Sequence, residues 1–92
     1  MEKLRIEVSD QKGQYVDTRN YIVEKTGRPI AQIETIKSTG ISMVCFGTQW
    51  YMHHYCKFAD FNDAVESIEG QIRDFIFHSL GFEIEFFRED NK

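Results

Sequence analysis

Punctuation is scarce in this chain. A single proline, and six glycines spread one at a time, leave no room for a flexible linker or a low-complexity segment. The 92 residues therefore read as one domain, 1–92. Cysteine is scarce as well: two cysteines cannot build a disulfide scaffold, so a reducing compartment is expected. The start, Met1-Glu2-Lys3-Leu4-Arg5, has no apolar run of signal-peptide length, and no stretch approaches a membrane span. The expected location is the cytoplasm, with no membrane partner. Phosphate loops, dinucleotide fingerprints, and C-x-x-C or H-x-x-x-H spacings are all missing, so no cofactor and no metal is expected. Clustered Lys and Arg are missing too, which argues against direct binding to nucleic acid.

Acid and aromatic side chains are what the chain does have. Residues 1–59 carry eight Lys/Arg and six Asp/Glu, whereas residues 60–92 carry three and nine, so the last third holds a net charge of −6. An acidic surface suits a basic protein partner. Eight Phe, four Tyr and one Trp exceed what a core of this size needs, and the surplus suits an interface.

Periodicity gives the fold class as α+β. An antiparallel β-meander of five or six strands is covered on one face by a single long C-terminal amphipathic helix, and a final strand follows. Leu4, Ile6 and Val8 alternate with charged residues, as in a half-buried strand. A turn at Asp10-Gln11-Lys12-Gly13 leads to a second strand within 15–25, with Tyr21 and Val23 inward and a break or bulge at Asp17-Thr18-Arg19-Asn20. Thr26-Gly27-Arg28-Pro29 reads as the next turn. Residues 30–37 suit a strand by their β-branched content, although Pro29 and Gly40 also frame a short helix. In the hairpin at 41–58, Gly47-Thr48 suits a two-residue turn with Gly first. That register pairs Cys45 with Trp50 and Met43 with Met52. It puts Ile41, Met43, Cys45, Trp50, Met52, His54, Cys56 and Phe58 on the core face. Asp60 stands where a helix cap belongs, and Gly81 where a helix stops. Between them Phe61, Ala64, Val65, Ile68, Ile72, Phe75, Ile76 and Leu80 form the apolar stripe. Phe82, Ile84 and Phe86 then alternate with Glu83 and Glu85 in the last strand.

Cys45, His53, His54, Cys56 and His78 invite a zinc reading, but the hairpin register sets the two thiols roughly 20 Å apart. His54 and Cys56 share a face at i, i+2, and a nucleophilic pair there is the reading kept in reserve. Nothing adjoining them in sequence would activate the thiol or stabilise an oxyanion, so no catalytic residue is assigned and the protein is read as a non-enzyme. Two binding surfaces remain as candidates. One is an aromatic face of Val44, Phe46, Tyr51, Tyr55, Phe77 and Phe87. The other is an acidic strip of Asp63, Glu66, Glu69, Asp74, Glu83 and Glu85.

The run from Tyr21 through Thr26-Gly27-Arg28-Pro29 to Glu34 leads into a further hairpin. Phe58-Ala59-Asp60-Phe61-Asn62-Asp63-Ala64-Val65-Glu66-Ser67-Ile68-Glu69 then opens the helix. Together they resemble many small phage and mobile-element proteins. Some anti-CRISPR proteins are similar in size, acidity and layout. The likeness covers residues 21–80 and is one of architecture, so no contact residue carries over by position. It implies a non-catalytic inhibitor that occupies the nucleic-acid or recruitment surface of a host defence complex, in the host cytoplasm if phage-encoded. The alternative is a structural homodimer or assembly subunit built on the aromatic face.

Overall fold

A computed structural model describes residues 3–48 and 51–89, with side chains outside 46–56. The elements are β1 (Lys3–Gln11), β2 (Val16–Val23), β3 (Arg28–Ile36), β4 (Ser42–Thr48), β5 (Tyr51–Phe58), α1 (Phe61–Leu80) and β6 (Glu83–Phe87). They form an α+β fold: a six-stranded sheet in the order β5-β4-β3-β2-β1-β6, with one helix against it. Five strands run as an antiparallel meander, and β6 pairs parallel to β1, so the sheet is mixed. Alternating direction along the meander makes β5 parallel to β6 at the opposite edge. Helix α1 must therefore carry the chain back across the sheet. No helix among the described residues is long and apolar enough to cross a membrane.

The helix follows from local chemistry. Asp60 is extended and its Oδ1 accepts from the Asn62 N–H at 2.9 Å, satisfying one of the orphan donors of the first turn. Gly81 ends the helix at φ 77°, a conformation that glycine adopts without a Cβ penalty, and its N–H reaches the Phe77 carbonyl at 2.9 Å. Between the caps Ala64, Ile68, Ile72 and Ile76 recur every fourth residue and are buried. They pack on Ile6, Val8, Tyr21, Ala31, Ile33 and Val44 from the sheet. Burying each isoleucine contributes about 1.5–3 kcal/mol.

Residues 30–36 are strand, as their β-branched content favoured. Several other expectations are corrected. Strand β2 runs unbroken through Asp17–Asn20, and its irregularity falls later, between Tyr21 and Ile22, where Pro29 lies opposite and lacks an N–H for the ladder. Arg28 and Pro29 belong to β3, not to the turn. The hairpin register is different. Ser42 pairs with Phe58, Val44 with Cys56 and Cys45 with Tyr55, and a bulge lies at Phe46/Gly47. Gly47 and Thr48 are thus ladder residues rather than the turn, and Trp50, the expected partner of Cys45, lies outside the described residues. The slip turns β4 over, since alternate residues face opposite ways. Val44 enters the core and Ser42 is fully buried, bonded to Thr35 at 2.9 Å, while Ile41 stays exposed. Cys56 pairs with Val44, on the rung next to that of Cys45, rather than far along the hairpin, and its side chain lies outside the described set.

Candidate functional site

The helix presents its second face to solvent. Asp63, Glu66, Gly70, Asp74 and Phe77 follow one another at intervals of three or four, which places them in a single row over roughly 21 Å of helix. All but the half-exposed Gly70 are exposed, and Phe77 is 49% accessible. Leu80, one turn beyond Phe77, is 59% accessible. Asp63, Glu66 and Asp74 have no ion-pair or hydrogen-bond partner among the described residues. Arg73, which could have neutralised them, instead lays its guanidinium over the Phe86 ring, 4.9 Å from the centroid. The outward ridge is consequently a row of unpaired carboxylates ending on two apolar side chains.

Four carboxylates on or beside the sheet, Asp10, Asp17, Glu24 and Glu85, are instead held by cations. Asp10 receives a two-pronged bond from Arg19, Nε to Oδ1 at 2.7 Å and Nη2 to Oδ2 at 3.0 Å, and Arg88 joins Oδ2 at 3.0 Å. Asp17 lies between Lys12 at 3.7 Å and Lys37 at 3.6 Å. Arg5 holds Glu24 at 2.8 Å and Glu85 at 3.2 Å, and stacks on Phe87 at 4.0 Å. Asp10, Asp17, Arg19, Thr35 and Phe61 line a cleft of about 180 Å³. The hydrogen bond from Arg19 holds the Asp10 carboxyl below its usual range, the wrong direction for a general acid near neutrality. Next to it Tyr21, fully buried, donates its hydroxyl to Glu69 Oε2 at 3.0 Å. Burial, then the neighbouring Glu69 carboxylate, pushes the phenol well above its ordinary value, so Tyr21 remains a neutral donor. This network fastens α1 and β6 to the centre of the sheet.

The two surfaces expected from sequence do not assemble as drawn. Of the aromatic face, Val44 is in the core, Phe87 lies under Arg5 and Phe77 stands on the outward side of α1. The side chains of Phe46, Tyr51 and Tyr55 lie outside the described set, as do those of His53, His54 and Cys56. Of the acidic strip, Asp63, Glu66 and Asp74 share the helix ridge. Glu69 points inward to Tyr21, and Glu83 and Glu85 belong to the edge strand, Glu85 bound to Arg5. Phe75 and Leu80 belong to the apolar stripe by their spacing, yet Phe75 is 54% exposed and Leu80 more so. The covered stripe ends with Ile76, one turn before the helix does.

Gly70 is the residue whose meaning sequence reading missed. A Cβ built there meets no atom of the described residues within 4 Å, so nothing among them requires glycine at mid-helix. Cys45 is buried on the sheet face away from α1, and burial, with Glu34 nearby, raises its thiol pKa, which favours the inert form. Among the described residues no group of His, Cys, Asp and Glu could hold a metal ion. No protein-family model matches the sequence, and no characterised protein or solved structure matches the chain.

Proposed function

We propose that the protein is a non-catalytic binding module that offers the outward ridge of α1 to a basic surface on a protein partner. One observation carries this reading. The ridge holds Asp63, Glu66 and Asp74 unpaired in one row with the exposed Phe77 at its end, while Asp10, Asp17 and Glu24 on the sheet are held by cations. Solvated carboxylates are inexpensive to bring against Lys and Arg and steer the encounter, whereas an exposed ring with Leu80 beside it supplies a desolvated anchor. The resemblance to phage-encoded inhibitors suggests the partner's chemistry. It would be a host nucleic-acid-binding defence protein whose phosphate-binding groove accepts carboxylates in place of phosphates, inside the host cytoplasm.

The test compares capture of host proteins by the immobilised wild type with capture by a D63K/E66K/D74K variant and by F77A. Wild type is expected to retain a basic protein that nucleic acid competes away and that rising salt weakens. Charge reversal should abolish retention, and F77A should reduce it about tenfold or more, as for an interface hot spot. A charge-reversed protein that is folded by circular dichroism and still retains the same partner would exclude the ridge.

A further inference from the structure

The sheet has two edges, and they are built differently. Edge strands expose unpaired backbone groups, and proteins guard them with charge, proline, bulges or brevity. Strand β6 is guarded. It has five residues, two of them Glu83 and Glu85, and Arg88 and Glu89 follow directly. Strand β5 carries none of these guards along most of its length. Its eight residues, Tyr51-Met52-His53-His54-Tyr55-Cys56-Lys57-Phe58, include no Asp, Glu, Gly or Pro, and one Lys next to the end. The bulge in the hairpin ladder is at Phe46/Gly47, near the turn, and leaves the rungs from Ser42–Phe58 to Phe46–His54 in regular register.

Charge singles out the same place. The chain has fifteen carboxylate residues, yet none occurs between Glu34 and Asp60. That interval contains β4 and β5 whole. With a net charge of −4, two copies repel each other least where they meet across this acid-free quarter of the molecule.

We infer that β5 is the docking edge for the β5 strand of a second copy of this chain, the two running antiparallel about a two-fold axis. Identical strands pair in this way with the same contacts given and received on both sides. The new rungs join the two six-stranded sheets into one. Assembly then stops, because each outer edge is a β6 guarded by Glu83 and Glu85, and a head-to-tail β5–β6 contact would set those carboxylates against the partner. An antiparallel edge pair also fixes the arrangement of the faces, since its two-fold axis is normal to the sheet. Both α1 helices lie on the same side of the joined sheet, their acidic ridges facing the same way. The inference does not depend on the helix reading, because dimerisation is measured without any other protein.

The test is sedimentation of the purified chain over a wide concentration range, with amide hydrogen exchange at both ends of it. The expected result is twice the 10.9 kDa mass at high concentration, with protection gained on dimerisation by alternate β5 amides, those directed away from β4. An H53E/Y55E pair, which gives β5 the guards it lacks, should return the mass to that of a monomer. E83T/E85T on the other edge should leave the dimer intact. Exchange on the wild type decides the matter even if the β5 variant fails to fold. A strict monomer at every concentration overturns the inference. So does a dimer whose new protection lies on α1 or on the open sheet face.

Discussion

Tyr21 and Arg19, two residues apart on β2, are where the apolar interior gives way to charge. The ring of Tyr21 meets Phe86 edge-on at 5.8 Å, while its hydroxyl reaches up to Glu69. The guanidinium of Arg19 is only 15% exposed and packs 4.9 Å from the centre of the Phe61 ring. The carboxylate that holds it, Asp10, has a folded-state pKa below its unfolded one. Its stabilisation is complete above the ordinary carboxylate range and is lost as pH falls through the lower, folded value. Melting temperature measured from pH 7 to pH 2 should thus decline less steeply below about pH 4 in D10N than in wild type, from a lower starting point. Parallel curves would mean that Asp10 is bound no more tightly in the folded state than in the unfolded chain.

Elements differ in how plainly their residues announce them. The helix was legible to its ends because Asp60 and Gly81 do local jobs that few other residues do, and Ile68, Ile72 and Ile76 repeat at one period. The hairpin was not. Its two faces carry similar numbers of apolar residues, so periodicity fails to say which is inside, and Gly47-Thr48 imitates a tight turn. Both residues are in the ladder, opposite Met52 and Tyr51, and the bulge at Phe46/Gly47 absorbs the shift in register. The binding surface suffered from that slip, because Val44 looked free only while β4 was placed the wrong way round. The helix also contains an unexplained weakness at Gly70. Glycine in a helix interior costs about 0.5–1 kcal/mol relative to alanine. With open space where the methyl would go, G70A should raise stability by that amount in a denaturant melt. Gly70 lies between Glu66 and Asp74 on the ridge, so the same variant should bind the partner more weakly if the partner's backbone comes close there. A G70A protein that is more stable and binds equally well would leave the glycine without a role in recognition.

At the level of the whole molecule, the last strand completes the first. Lys3, Leu4, Arg5, Ile6 and Glu7 pair with Glu83, Ile84, Glu85, Phe86 and Phe87 in turn. Ile84 and Phe86 also close the core beside Ile6. A chain cut after Phe82 keeps its meander and helix but leaves β1 as a bare edge and Ile6 uncovered. It should melt about 12–24 °C lower, the change expected for roughly 3 kcal/mol of lost burial in a domain of this size, and should aggregate at concentrations where the full chain does not. Unchanged melting would show that β6 is an ornament on the sheet.

The pairing of β6 with β1 also has a meaning in time. A ribosome delivers β1 well before β6, so Ile6 waits with one flank open until its partner Phe86 has been made. The nascent chain can assemble its hairpins as they emerge, but the sheet closes only after β6 leaves the tunnel. Until then Ile6 offers an open apolar flank to chaperones, and closure of the sheet waits on β6 rather than on the hairpins.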